Sequence, residues 1–482
     1  MQPAELKEVI DLVQRIKAET AGIEVKAAHV DCPKKLYDTL SSFSNRDEGG
    51  ILLFGVDEEQ RFRKIGVYDA QDLMKKVTEQ CKQMEPLIRP LFSVYEEEGL
   101  TFVGAEIPSI DITERPCYYK GKGIFKGSYI RVGDADEQMT DYEIYSFEAF
   151  RKKYADDIRP IERATYEDLS EDLLDRYMLR LKSNKPNLAQ LEPERIQELM
   201  SVTRNREVTL SALLLFCPYP QAFCPQLGII ATVVPGLEIG EESADGARFL
   251  DNKRIEGNIA QMLEEALAFV SKNMRISTRI NAATGHRNDK TEYPVKAIRE
   301  CVLNALVHRD YSIRTEGMPI QLILFRDRLE IINPGGLYGR IQIDQLGKVQ
   351  ADTRNPVLAN AMEILGLVEN RYSGIPTIHR EMRMQGLPEP VFSDTRGSFS
   401  VKLFNGSNTE PVMLAGPEPD LVNFCRIPRS RQEIAAYLNL GSVTYAIKSH
   451  VMPLVEKGIL EMTIPEKPTS AHQLFVTVGK NS

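Results

Sequence analysis

Residues 293–312 read YPVKAIRECVLNALVHRDYS, and residues 320–337 read IQLILFRDRLEIINPGGL. In the first stretch Val295, Ile298, Val302, Ala305 and Leu306 recur at helical spacing and lie near one face. Glu300 and Asn304 stand four apart, so both project from another face, and His308 follows one turn later. A carboxylate one turn from an amide oxygen can order a water and ligate a hard divalent cation. Alone, Glu-x-x-x-Asn is more often an ordinary surface helix. The second stretch changes the weighing. It reads as a strand, a turn at Arg326–Asp327, a second strand, and then Asn333-Pro334-Gly335-Gly336. Paired glycines after a buried strand let the backbone approach a flat ligand closely. An asparagine there offers a donor and an acceptor, which suits the amine and a ring nitrogen of adenine. NPGG by itself is more often a plain turn. Further on, GLVENRYSGIPTIHREM (366–382) places Ser373 and Gly374 at the start of a helix, where backbone amides can cradle phosphates.

The rest of the chain frames this region. Its 482 residues allow two to four domains, and 42% hydrophobic with 27% charged residues is an ordinary globular balance. The net charge of −9 argues against a generally basic nucleic-acid coat, so such contacts would come from local patches. No stretch has the length and apolarity of a membrane span, and the first 20 residues read as an amphipathic helix rather than a signal segment. Seven scattered cysteines without a CxxC pair argue against a disulfide framework and a zinc site, and a reducing cytoplasm is the expected home. No G-x-x-x-x-G-K-[ST] loop is present, which argues against a helicase motor.

Taken in order, RECVLNALVHRDYS, RLEIINPGGL, TRNPVLANAMEILGLVE and GSFSVKLF, with LLLFCPYPQAFCP upstream, resemble the divergent RecG C-terminal-like subgroup of GHKL ATPases over roughly residues 160–405. The resemblance implies an α/β sandwich that binds ATP with Mg²⁺. Glu300 would orient the attacking water and Asn304 would hold magnesium. Asn333 would face adenine, and Gly335, Gly336, Ser373 and Gly374 would form the lid and phosphate cradle. His308 is grouped with the nucleotide-binding residues. One departure stands out: Asn333 occupies a place where the standard box has Asp.

Nearer the N-terminus, ETAGIEVK (19–26) contains Glu19 and Glu24, and the buried strand ILLFGVD ends on Asp57, followed by Glu58 and Glu59. Alternation puts Glu24 and Lys26 on one side of a strand. Such a set can hold Mg²⁺ or Mn²⁺ through oxygen, although on spacing alone a solvated acidic loop is the commoner reading. Helices are expected over 1–17, LYDTLSSFSN and DLMKKVTEQCKQM, the last with Leu73, Val77 and Cys81 inward. Strands are expected through FSVYEEEGLTFVGAEI and YYKGKGIFKGSYIRVG. ETxxxEVK, LYDTLSSFSNRDEGGILLFGVDEE and CYYKGKGIFKGSYIRVG together resemble the Schlafen AlbA-type domain over about residues 8–150, with Thr20 where Ser is more usual. In nuclease members of that family two Glu and one Asp hold the metal that cuts RNA, and by motif these match Glu19, Glu24 and Asp57. Lys26, Lys34, Lys35, Arg61, Arg63 and Lys64 are the basic residues near them.

At the C-terminal end, RSRQEIAAYLNLGSVTYAIKSHVMPLVEKGILEMTI and QLFVTV read helix, turn, helix and two strands. This resembles a winged helix, with Thr444, Tyr445, Lys448 and His450 toward a DNA groove; a small interaction or dimerisation domain is the alternative. The expected architecture is multidomain α+β: a Schlafen AlbA-type domain over 1–155, a helical extension plus GHKL-type domain over 156–405, a linker over 406–418 and a winged helix over 419–482. Two functions fit. One is an ATP-responsive transcriptional regulator acting on DNA or RNA as a homodimer or higher oligomer. The other is a nucleotide-gated, metal-dependent RNA or tRNA endonuclease of the Schlafen type, used in phage defence.

Overall fold

The computed structural model describes residues 1–243, 245–280, 287–368, 373–395 and 397–406, and toward the C-terminus 421–422, 424–437, 447, 451–456, 459–463 and 473–477. The chain divides into two units, Met1–Ser407 and Asn408–Ser482.

The larger unit opens with α1 (Pro3–Ile16). Pro3 sits at the first helical position, where its missing N–H has no partner to lose, and Gln2 and Glu5 form a reciprocal capping box. Leu6, Ile10 and Val13, three and four apart, are buried against one face of a four-stranded sheet. That sheet holds β1 (Ile23–Lys26), β2 (Gly50–Phe54), β3 (Leu91–Glu97) and β4 (Leu100–Ile107) in the order β1-β2-β4-β3, with β1 and β2 parallel and the other pairs antiparallel. Helices α2 (Tyr37–Ser44) and α3 (Ala70–Cys81) cover its other face. Strand alternation sorts the core. Leu53 and Phe102 turn toward α1, while Leu52, Phe54, Val103 and Ala105 join Leu40, Phe43, Leu73, Val77 and Cys81.

The segment 118–133, expected to be strands throughout, contains a single helical turn, α4 (Ile124–Gly127), ahead of the hairpin β5 (Tyr129–Val132) and β6 (Ala135–Gln138). Glycine makes this possible. Gly123 has φ +71°, and a Cβ on Gly127 would lie 2.6 Å from the Tyr119 carbonyl oxygen, so the chain folds back over Tyr119 instead of extending. α5 (Asp141–Lys152) follows, capped by Thr140 and Glu143.

The remainder of this unit is built on a six-stranded sheet. Its strands are β7 (Ile229–Val233), β8 (Asp251–Ile255), β9 (Ile320–Leu324), β10 (Arg328–Pro334), β11 (Val391–Thr395) and β12 (Ser398–Phe404), in the order β8-β7-β9-β10-β12-β11. β7 and β9 are parallel; the other neighbours are antiparallel. One face carries a continuous core shared by α6 (Glu171–Asn184), α7 (Pro193–Leu199), α8 (Leu210–Phe216), α9 (Ile259–Asn273), α10 (Val295–His308), α11 (Pro356–Ile364) and α12 (Gly374–Met384). Among the described residues the opposite face carries a small cluster of Val234, Ile323 and Phe325. This is a sandwich of helices on one sheet. Pro193 starts α7, where proline is well tolerated. On α10, Ile298, Val302, Ala305 and Leu306 are buried as expected, but Val295 is 43% exposed because it begins the helix, one turn before the packed stretch.

Several contacts join the two sheets' regions, among them Phe150 packed edge-on against Tyr338 and the Gln342 amide donating to Asp47. Tyr142 at the start of α5 donates its hydroxyl to Asp310 Oδ2 at 2.7 Å. Asp157, just after α5, accepts the backbone N–H groups of Val357 and Leu358 at 2.9 and 3.2 Å, so the first turn of α11 is capped from a distant part of the chain.

In the smaller unit Leu421, Cys425, Ile434, Val451, Leu454, Leu460 and Phe475 share a core. Strand Leu474–Thr477 lies between Arg429–Ser430 and Leu460–Met462, and helices Arg431–Tyr437 and Met452–Glu456 accompany them. Ser430 and Glu433 cap the first of these helices reciprocally. Thr444, Tyr445, Lys448 and His450, and nearly all of the expected linker, lie outside the described residues. Among the described residues no helix is long and apolar enough to cross a membrane.

Candidate functional site

A cavity of about 220 Å³ lies beside α10, α12 and the end of β10. Glu300, Asn304 and His308 on α10, Asn333, Gly335 and Gly336 at the end of β10, and Ser373 and Gly374 at the head of α12 all line it. Leu346, Val349, Ile378 and Phe399 add apolar wall. The glycines are there for space. Gly335 has φ +98°, and a Cβ on it would lie 2.6 Å from the Asp310 Cβ. A Cβ on Gly336 would lie 2.6 Å from Asp394 Oδ1. A Cβ on Gly374 would lie 3.2 Å from Glu300 Oε2 and 3.3 Å from Asn304 Nδ2, so the head of α12 sits directly against both side chains. Ser373 makes no side-chain cap there, and first-turn amides of a helix have no partner within it. Asn333 is 4% exposed, and its Oδ1 has no hydrogen-bond partner. A buried acceptor left this way is costly, and it is available to an N–H brought by a ligand.

Several residues that sequence reasoning passed over hold the site's shape. Asp394 on β11 accepts the Leu337 N–H at 3.0 Å and braces the glycine pair. Arg354, also in the cavity wall, pairs with Asp310 at 2.7 Å, donates to the Gly336 carbonyl at 3.2 Å and lies over the Tyr338 ring. Burial would push the Asp310 carboxyl up, but Arg354 and the Tyr142 hydroxyl outweigh it and hold it below the usual carboxylate range. Asp310 in turn donates its backbone N–H to Pro334 at 3.0 Å, so this ion pair sits beneath the glycine loop. His308 is open to the cavity yet surrounded by protein, and burial together with Arg354 pushes its imidazole down to about 4. It is therefore neutral at physiological pH. The only sequence signal for Arg354 and Asp310 was their place inside TRNPVLAN and VHRDYS.

The N-terminal carboxylates are arranged differently from expectation. Glu24 and Glu19 meet a buried guanidinium: Arg131 on β5 lies 2.8 Å from Glu24, 3.8 Å from Glu19 and 2.8 Å from Asp136. Lys26 also contacts Glu24, from the side of β1 that alternation indicates. Burial, then Glu24 and Glu58, raise the Glu19 carboxyl to about 7 against a bond from the Val25 N–H. Asp57 does not join this group. Its oxygens accept from the Glu59 backbone N–H at 3.0 Å and the Gln60 amide at 2.7 Å, closing its own turn. Asp136 stands with Glu19 and Glu24 instead. A guanidinium already lies between these carboxylates, so the donor set does not fit a divalent cation. Among the described residues no group of three or more His, Cys, Asp and Glu could hold a metal ion.

Two family models match the chain. Residues 19–140 match "Schlafen, AlbA_2", and residues 317–403 match "Putative ATP-dependent DNA helicase recG C-terminal". The chain joins an AlbA_2 domain to a RecG C-terminal-like domain. Among solved structures it is similar to the DIP2311 protein of Corynebacterium diphtheriae, at 17% identity over 93% of each chain with a TM-score of 0.40. It is also similar to the N-terminal domain of an ATP-dependent DNA helicase RecG-related protein from Nitrosomonas europaea, at 26% identity over 28% of this chain and 93% of that one, with a TM-score of 0.24. No curated protein matches the chain. Asn333, Gly335, Gly336, Ser373 and Gly374 fall inside the RecG C-terminal-like match, whereas Glu300, Asn304 and His308 precede it. Glu19, Glu24, Asp57 and Arg131 fall inside the AlbA_2 match, and Tyr142 lies just beyond it.

Proposed function

We propose that the chain binds an adenine nucleotide with Mg²⁺ in the cavity beside α10 and α12, and that it acts as a nucleotide-responsive regulator on nucleic acid. The observation that carries this reading is convergence: residues from three separate segments line one cavity, and one of them, Asn333, holds a buried oxygen with no partner. In this reading Asn333 accepts from the adenine amine, and Gly335 and Gly336 let the ring approach the backbone. Asn304 holds magnesium, Glu300 orients a water, and the first-turn amides of α12 face the phosphates. Neutral His308 and the Arg354–Asp310 pair keep the floor of the site in shape. The association with nucleic acid rests on the two domain types. The metal-dependent endonuclease reading has less support, because Arg131 takes the place between the carboxylates that a metal would need.

Calorimetry of the full chain with Mg·ATP tests the first half. Asn304→Ala should weaken binding about tenfold or more through loss of one ligand. Gly335→Val should abolish it, since a β-branched residue cannot take that backbone conformation beside Asp310. Unchanged affinity in both variants would overturn the assignment. The second half predicts that affinity for labelled RNA or DNA shifts when Mg·ATP is added; equal affinity with and without nucleotide would remove the regulatory link.

A further inference from the structure

Basic residues of the AlbA_2 domain are unevenly used. Lys26 and Lys64 are each tied to a carboxylate, Glu24 and Glu97. In contrast, residues 117–131 (CYYKGKGIFKGSYIR) carry Lys120, Lys122, Lys126 and Arg131 and no acid. The fold brings the start of α2, which closely follows Lys34 and Lys35 in the chain, onto this segment. Tyr37, two residues after Lys35, stacks on Tyr119 with ring centroids 3.8 Å apart and planes 11° from parallel. Tyr37 also donates to the Gln83 side chain, whose backbone carbonyl accepts from the Lys120 N–H. Lys122 lies over the Tyr129 ring and donates to its hydroxyl at 3.0 Å. Lys34, Lys35, Lys120, Lys122 and Lys126 are all exposed, and so is Phe125, at 56%. Nearby acids offset this only in part: Glu85 lies 3.2 Å from Lys120 and Asp38 lies 3.5 Å from Lys122.

Three exposed lysines flanking an exposed phenylalanine, with Lys34 and Lys35 just before the tyrosine that stacks on the same segment, stand out in a chain of net charge −9. Lysines alone would read as a solvated face, and an isolated exposed phenylalanine is unremarkable. Together they match the chemistry of an unstacked polynucleotide, with ammonium groups for the phosphates and a ring face for a base. We propose that this face binds single-stranded nucleic acid, with the lysines on the backbone and Phe125 stacked on a base. The proposal rests on the reading of the chain as nucleic-acid-associated, and it places the contact away from the nucleotide cavity. A duplex fits less well. Its bases are not free to stack, and α4 is a single turn, too short to lie in a groove.

Fluorescence anisotropy of the full chain with a labelled oligouridine of roughly 20 nucleotides tests it, across a salt series and beside a duplex and anionic lipid vesicles. Lys120→Gln/Lys122→Gln/Lys126→Gln should lower the slope of log affinity against log salt by about two units, at roughly 0.7 per lost phosphate contact. Phe125→Ala should weaken binding about tenfold and leave that slope unchanged. Arg61→Gln/Arg63→Gln, on exposed residues elsewhere in the domain, should change neither. Mg·ATP affinity serves as the check that each variant is folded. Wild-type binding that the triple and Phe125 variants retain in full refutes this face while leaving the nucleic-acid reading intact. A wild type that binds vesicles or duplex but no single strand also refutes it. A wild type that binds no nucleic acid at all removes both.

Discussion

Asn333→Leu should separate a ligand-binding residue from a structural one by the sign of two effects. Asn333 is 4% exposed and its Oδ1 lacks a partner, so the free protein carries an unsatisfied buried acceptor, worth about 1–3 kcal/mol of lost stability. Leucine shares the branched shape and has no acceptor, and although it is bulkier its methyl groups would lie toward the cavity among the apolar lining residues Ile331, Phe399 and Val401. The ligand-free variant should therefore be as stable as wild type or more so. Nucleotide binding should go the other way. A lost neutral hydrogen bond is worth about 1 kcal/mol, and an adenine amine left unpaired in the cavity adds about 1–2 kcal/mol. Together these weaken Mg·ATP by roughly 30- to 150-fold. Stability is read as the urea midpoint of the larger unit's transition, because the chain's two units need not unfold together. Affinity is read by calorimetry. A variant that loses more than about 1 kcal/mol of stability yet binds Mg·ATP as wild type does would falsify the reasoning and make Asn333 a support for the glycine loop.

Two further outcomes follow from charge. Arg354→Met strands the buried Asp310 carboxylate and should cost about 3–5 kcal/mol, with Arg354→Met/Asp310→Asn recovering most of it. Because the Asp310 carboxyl is held low, the wild-type advantage is present above about pH 4 and fades below it; the same substitution should let the His308 imidazole rise from about 4 while burial, the larger cause, keeps it depressed, followed by NMR titration, and an unmoved His308 would contradict the link to Arg354. Glu19 has its carboxyl raised to about 7, so its contribution is fully present below about pH 4.5 and is lost as pH rises through 7. Glu19→Gln should accordingly match wild type near pH 4 and be the more stable protein near pH 8, and an equal difference at both pH values would contradict this.

The parts of the fold that were legible in the sequence are those set by local period. α10 and the β9–β10 pair follow from spacing alone, and the ordered motifs were enough to gather Glu300, Asn304, Asn333 and the glycines around one cavity. The parts that escaped depend on side chains meeting across the fold. Arg354 and Asp310 are separated by a strand pair and a loop, and no period relates them. The carboxylate set shows the same limit more sharply. Glu24 and Lys26 share a face because they are two apart on one strand. Gly55, with φ +98°, turns the chain between β2 and Asp57, so alternation along β2 says nothing about where Asp57 points. The residue that does meet Glu19 and Glu24 through Arg131 is Asp136, on a hairpin whose position depends on the glycine-made turn at α4. Of the basic residues near the carboxylates in sequence, Lys26 and Lys64 are tied to Glu24 and Glu97, whereas Lys34, Lys35, Arg61 and Arg63 are exposed, a division that sequence proximity does not show.

The docking of α5 bears on how this protein can be cut, swapped or inherited. The AlbA_2 match stops at residue 140, yet two residues later Tyr142 bonds to the aspartate under the glycine loop, and a Cβ on Gly397 would strike its ring. Asp157 goes further and serves as the cap of a helix two hundred residues away. A fragment beginning at residue 156 would keep every cavity-lining side chain and lose the phenol that secures their foundation. A foreign N-terminal domain grafted at that point would have to bring a tyrosine of its own to the same place. Homology boundaries in this chain are therefore poor places for scissors, and exchange of the front domain among relatives should be rarer than its motif-by-motif modularity suggests.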